Sequence, residues 1–115
     1  MERQEVARKI RVLVGVLRES LPPSAPVRVY FRGEYSMPEQ FGVGNYGLCV
    51  QNTDGERVTS FSIFIRYGTL QEMADTLCHE WAHSLSWDLT EPPHGEHGPA
   101  FGIAYAQVLT ALEGV

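Results

Sequence analysis

The stretch His79-Glu80-Trp81-Ala82-His83 limits what this chain of 115 residues can fold into. Histidines four residues apart face the same side in an α-helix, where their Cβ atoms lie roughly 5–6 Å apart. Two imidazoles at that spacing can bind one Zn²⁺ at about 2.0–2.1 Å, and Glu80 then lies beside the ion, where its carboxylate can accept a proton from water. The pattern therefore predicts a helix with a metal site on one face.

The flanking sequence predicts the same helix. Thr69 and Glu72 have the spacing of a capping box, in which each side chain bonds a backbone N–H near the helix start. Apolar residues then recur at helical spacing on one face, namely Leu70, Met73, Ala74, Leu77, Trp81 and Leu85. The other face is polar and carries Glu72, Asp75, Thr76, His79, Glu80, His83 and Ser86. We expect a core on one side of the helix and a polar cleft on the other. The alternative is a surface helix on which two histidines share this spacing by coincidence.

A third protein ligand should follow the helix, because catalytic zinc usually has three protein ligands and one open position. The candidates after His83 are Glu91, His94, Glu96 and His97. His97 is favoured because it directly precedes Gly98-Pro99, where a final helix would begin and hold it in place. His94, in a segment rich in proline and glycine, is the next candidate. A fourth ligand from His94 or Glu91 would indicate a closed, structural site.

The combined pattern resembles the SprT-like zinc metallopeptidases, which include the Spartan proteases. The resemblance lies in Thr76–His83, in Glu96-His97-Gly98-Pro99-Ala100-Phe101, and in the 13 residues that separate His83 from His97. It covers roughly residues 61–105. That family pairs HExxH with a downstream HGxxF histidine. The resemblance implies His79, His83 and His97 as zinc ligands and Glu80 as the catalytic residue. It also implies a small α+β domain of the zincin or minigluzincin type, with a sheet edge lining the cleft.

The sequence departs from many members of that family in two ways. It carries no basic extension or cysteine-rich zinc-binding module, and its last helix has no basic residue. Both differences argue against activity that depends on DNA. The short form is similar to compact phage or prophage versions of the family.

The remaining sequence predicts a small domain around this helix. Residues 1–21 form an amphipathic pattern that ends at Pro22-Pro23, and residues 27–32 are typical of a strand. Residues 46–52 and 57–66 flank a turn signal at Asn52–Gly55 and predict a hairpin. If the second of these strands lies at a sheet edge beside the cleft, it could hold an extended peptide by strand addition. The last helix has an apolar stripe of Phe101, Ala104, Tyr105, Val108, Leu109 and Leu112.

We therefore predict one α+β domain over residues 1–115, with an N-terminal helix, a short antiparallel or mixed sheet, the HExxH helix and a C-terminal helix. Residues 42–47 match GxGxxG literally, but the following residues are typical of a strand, whereas a dinucleotide site needs a helix there. Gly33 to Gly47 is instead predicted to be an irregular loop. Cys49 and Cys78 are predicted to be thiols, since no export signal is evident.

The charge and the apolar content of the sequence indicate which partners and which cellular compartment to expect for this protein. The net charge is −5, and residues 67–115 contain no lysine or arginine, so the region of the motif has no strong nucleic-acid-binding signal. No apolar run approaches the roughly 20 residues that span a membrane. We expect a cytoplasmic protein with a protein or peptide substrate.

Three hypotheses for function remain from the sequence. The first is peptide hydrolysis by a zinc-activated water, with Glu80 as general base and Tyr67, His94 or Tyr105 as candidate donors to the developing oxyanion. The second is a non-catalytic, zinc-containing module that binds a protein partner. The third is hydrolysis of a non-protein amide or a cell-wall peptide.

Overall fold

A computed structural model describes residues 1–33, 46–88 and 97–115. Within these residues the chain forms three helices and a three-stranded mixed sheet, which is the predicted α+β class. The elements in chain order are α1 (Arg3–Ser20), β1 (Val27–Arg32), β2 (Gly47–Asp54), β3 (Arg57–Arg66), α2 (Leu70–Ser86) and α3 (Pro99–Ala111).

Helix α1 covers one side of the core with the predicted apolar stripe. Val6, Ile10, Val14 and Leu17 are buried, while the basic side chains of the helix face outward. The helix ends at Leu21, whose N–H donates to the Leu17 carbonyl at 2.8 Å. Proline follows at position 22 and cannot continue the helix.

The sheet has the order β1-β3-β2. β1 pairs with β3 in parallel, with Val27 opposite Phe61, and β2 pairs with β3 antiparallel, with Asn52 opposite Ser60. β3 therefore has a partner on both sides. The condition set for peptide binding by residues 57–66, a place at a sheet edge beside the cleft, is not met, because both hydrogen-bonding edges of β3 are used. Among the described residues, β1 and β2 form the two edges of the sheet, and β2 packs against α2.

The predicted hairpin between β2 and β3 is confirmed, with its turn at Gly55-Glu56. Gly55 has φ 65°, a backbone conformation that favours glycine. The Asn52 amide bonds across the strands to the Ser60 and Ser62 hydroxyls at 3.0 and 2.8 Å. These contacts fix the register next to an irregularity between Asn52 and Thr53.

One face of the sheet packs against the helices. Phe61, Ile63 and Ile65 of β3 are fully buried there, as their alternation predicts. Buried residues of the three helices and of β1 complete a single hydrophobic cluster, which includes Val29, Phe31, Met73, Leu77, Trp81, Ala104 and Val108. This core holds the apolar side of α2.

Two side-chain placements differ from the expectation. Leu109 is 46% exposed, because it lies at the margin of the α3 stripe and points past the packed face. Ser86 was expected in the polar cleft but is buried, and its hydroxyl donates to the Ala82 carbonyl at 2.9 Å within the helix. A hydroxyl satisfied in this way can be buried without a polar environment.

Two predicted segments lie mainly outside the described residues. These are the irregular loop of residues 33–47, with most of the GxGxxG match, and the stretch between His83 and His97, of which residues 89–96 are not described. None of the helices in the described part of the chain combines the length and hydropathy needed to cross a membrane.

Candidate metal centre

Helix α2 places the first two histidines on the same side. Its predicted capping box is present: the Glu72 N–H donates to the Thr69 hydroxyl at 3.1 Å, and the Thr69 N–H donates to the Glu72 carboxylate at 3.0 Å. The helix then continues to Ser86. Nε2 of His79 and Nε2 of His83 lie 3.1 Å apart. The local sequence therefore creates the first half of the site, because helix start and histidine spacing are encoded in the same short stretch.

His97 brings the third imidazole from another element. It lies just before Gly98, the N-cap of α3, and Pro99 occupies the first turn of that helix. Its Nε2 is 3.3 Å from Nε2 of His79. The packing of α3 against α2 thus carries His97 to the two histidines of the HExxH motif, as predicted.

The three imidazoles are close enough to bind one metal ion, since their ligand nitrogens all lie within 4.8 Å of one another. In a tetrahedral site with metal–nitrogen bonds of about 2.0–2.1 Å, two ligand nitrogens are about 3.3–3.4 Å apart. The observed separations of 3.1 and 3.3 Å fit that geometry. The donor set of His79, His83 and His97 therefore suits a divalent ion that prefers nitrogen ligands.

Phe101 forms an apolar wall behind the three histidines. Its ring centroid lies 5.0, 4.6 and 5.0 Å from those of His79, His83 and His97. The apolar periodicity of α3 predicted its burial but not this contact with all three rings. The signal was the HGxxF stretch, which places Phe101 in the first turn of α3, directly after His97 and Gly98.

The His83 side chain is neutral at pH 7. Burial, with the neighbouring His79 and His97 as smaller causes, lowers the pKa of His83 to about 4. A neutral imidazole is the form that binds a metal. His83 is therefore ready to bind without first releasing a proton.

Glu80 lies on the adjacent wall of the same site. It is only 8% exposed, yet it lines a cleft of about 480 Å³ that also contains His79. The other lining residues are Tyr46, Gly47, Glu72, Asp75, Thr76 and Tyr105. The predicted polar cleft on this face of α2 is present, and the sheet contributes its opposite wall at the start of β2.

Gly47 allows β2 to approach α2 closely. A Cβ at this position would overlap the Thr76 methyl group and would lie 3.0 Å from the Phe64 carbonyl oxygen and 3.3 Å from Cγ of Glu80. Gly47 was predicted to lie where the irregular loop meets the strand of residues 46–52, and its contact with α2 was not predicted. The only signal was a glycine directly before a β-forming run.

Of the candidate oxyanion donors Tyr67 and Tyr105, the structure places Tyr105 at the cleft and Tyr67 away from it. Tyr105 lines the cleft, with its ring centroid 6.4 Å from that of His79. Tyr67 instead packs against Phe31, with the Arg3 guanidinium 4.7 Å from its ring centroid. Burial, followed by Cys78 and Asp75, raises the pKa of Tyr105, so this phenol is protonated at neutral pH. The third candidate, His94, lies outside the described residues, as do Glu91 and Glu96.

Cys49 and Cys78 are thiols outside any disulfide, as predicted. Cys78 is buried, and burial, with Asp75 as a smaller cause, raises the pKa of its thiol to about 11. It is not part of the ligand cluster formed by the described residues. A protonated, buried thiol of this kind is a packing residue.

Replacing His97 by Ala is expected to remove bound metal, because two imidazoles on one helix leave a divalent ion short of a ligand. We would measure metal content by mass spectrometry after dialysis against zinc, with His94→Ala as the comparison. About one zinc per chain in the wild type and in His94→Ala, but not in His97→Ala, is the expected result. Loss of metal in both variants would indicate a closed site with four ligands.

No protein-family model, curated protein or solved structure matches this chain.

Proposed function

We propose that this protein is a zinc metallopeptidase of the SprT-like type with a zincin-like fold. The observation that carries the proposal is the meeting of His79, His83 and His97 at metal-binding distances, with His79 and the buried Glu80 lining the same cleft. A purely structural zinc site has no use for that carboxylate. The family resemblance of the HExxH and HGxxF stretches supports the same conclusion.

Zinc fits the donor set best among common divalent ions. Three imidazole ligands with one position left for water or substrate are typical of catalytic zinc. When bound, zinc supplies Lewis acidity, since it lowers the pKa of the water that it binds to near 7 and polarises a carbonyl. His79, His83 and His97 would hold it.

Glu80 would act as the proton carrier. Its carboxylate accepts a proton as water attacks the carbonyl carbon of the peptide bond. It then gives the proton to the amide nitrogen as the carbon–nitrogen bond breaks, so the amine leaves neutral. Placement on the helix between the two histidines keeps Glu80 next to the reacting water without making it a ligand.

The edge of β2 is the best place for an extended peptide. Gly47, the first residue of this strand, and Tyr46 just before it line the cleft, and within residues 1–33, 46–88 and 97–115 the pairing partner of β2 is β3. Strand addition along the other side would carry a peptide past Glu80. This assigns to β2 the role that the sequence analysis considered for residues 57–66.

Removing the metal tests the proposal. The zinc-loaded protein should release fluorescent peptides from labelled casein, which is acidic, or from labelled denatured lysozyme, which is basic. 1,10-Phenanthroline should abolish release, and excess zinc should restore it. Cleavage that persists at full rate after metal removal would contradict the proposal. A tightly metallated protein that cleaves neither substrate would favour the non-catalytic binding module.

A further inference from the structure

Tyr105 lines the cleft with a side chain that carries a hydroxyl. Among the described residues it has no hydrogen-bond partner, although it lines the same cleft as His79 and Glu80. Its ring is tilted at 31° to Phe101, with the centroids 5.8 Å apart. Because Phe101 also packs on the three histidines, α3 holds Tyr105 at a fixed position relative to the metal ligands.

The other hydroxyls that line the cleft are less suited to donate to a substrate. The Thr76 hydroxyl already donates to the Glu72 carbonyl at 2.8 Å. Tyr46 is 53% exposed, and its ring lies under the Arg66 guanidinium at 4.1 Å, on the β2 side of the cleft. Tyr105 is the lining tyrosine whose ring is in contact with a metal-binding histidine, at 6.4 Å and nearly perpendicular.

We propose that Tyr105 is a catalytic residue whose hydroxyl donates a hydrogen bond to the oxygen of the scissile carbonyl as that oxygen becomes anionic. The inference rests on the proposed peptidase function. Glu80 handles the proton of the attacking water, whereas Tyr105 keeps its own proton and transfers none. Its contribution is a donor that is already in place where charge develops, which favours the transition state over the bound substrate.

Tyr105→Phe tests this assignment, because it removes one oxygen atom and keeps the ring on Phe101. Tyr67→Phe is the matched control, since Tyr67 is a tyrosine that packs outside the cleft. With labelled casein, Tyr105→Phe is expected to lower kcat by about 100-fold with little change in KM, as for loss of one oxyanion donor. Tyr67→Phe is expected to keep the wild-type kcat.

A binding measurement provides a readout that does not depend on turnover. Each protein would be loaded with Co²⁺ and titrated with inorganic phosphate, a tetrahedral anion, while the visible absorption of the cobalt is recorded. Tyr105→Phe is expected to weaken phosphate binding by about tenfold, at the lower end of what a hydrogen bond to a charged group contributes. Cobalt stoichiometry should be the same in all three proteins.

The outcomes distinguish this inference from the proposed function. Equal phosphate affinity in wild type and Tyr105→Phe, or no phosphate binding by the wild type, would overturn the role of Tyr105. An unchanged kcat in Tyr105→Phe would also overturn it. In a third outcome, Tyr105→Phe binds phosphate more weakly than the wild type, but the wild type cleaves no peptide. That result would support Tyr105 as a hydrogen-bond donor and contradict the peptidase function.

Discussion

Replacing Glu80 with Gln is expected to leave the metal in place and to lower peptide hydrolysis by about 10²–10⁴-fold, the usual contribution of general acid–base catalysis. The amide has nearly the same shape as the carboxylate, so the packing of this 8% exposed side chain is kept. It cannot accept the proton of the attacking water. Cleavage of labelled casein and metal content, measured on the same preparation, give the two readouts.

Glu56→Gln is the control for this experiment, because it makes the same chemical change in the hairpin turn between β2 and β3. It should behave as the wild type in both measurements. Full turnover by Glu80→Gln would show that the mechanism is wrong. Loss of both metal and turnover would mean that Glu80 acts mainly in holding the site together.

Trp81→Ala is expected to have the largest effect on stability, lowering the free energy of unfolding by about 3–5 kcal/mol. Trp81 is fully buried, and its Nε1–H donates to the Leu21 carbonyl at 3.0 Å. It therefore ties the helix of the HExxH motif to the end of α1. Since small domains are stable by about 5–15 kcal/mol in total, much of the fold stability depends on this side chain.

Trp87→Ala is the matched comparison, because Trp87 also donates through Nε1 to the segment after α1, at Ser24 Oγ, but is only half-buried. We expect a loss of roughly 1–2 kcal/mol for this variant. Urea unfolding followed by circular dichroism, with EDTA present, would compare the two variants without the contribution of metal binding. Equal losses would contradict the anchoring role of Trp81.

The part of the site that the sequence predicted is encoded locally. The capping box of Thr69 and Glu72, the apolar stripe of α2 and the i, i+4 histidines depend on residues a few positions apart. The position of His97 followed from its place before a proline-started helix. Patterns of this kind can be recognised in a single sequence because they do not depend on contacts between distant residues.

The parts that sequence analysis missed depend on long-range pairing. Placing β3 between β1 and β2 requires the parallel pairing of residues 27–32 with residues 61–66, and no local pattern encodes it. The contact of Gly47 with Thr76 likewise joins a strand to a helix that follows a whole strand later. The hydrophobic alternation of residues 57–66 correctly predicted which face of β3 is buried. It could not predict that β1 and β2 pair with β3.

The close approach at Gly47 also restricts how this cleft can diversify. Since even a methyl group at position 47 would collide with Thr76 and crowd Glu80, related sequences that keep this geometry should retain glycine there. Substitutions that change the shape and charge of the cleft are then expected at the side chains that flank position 47, chiefly Tyr46 and Asp75. A mutant library of this cleft should therefore keep glycine at position 47 and randomise Tyr46 and Asp75.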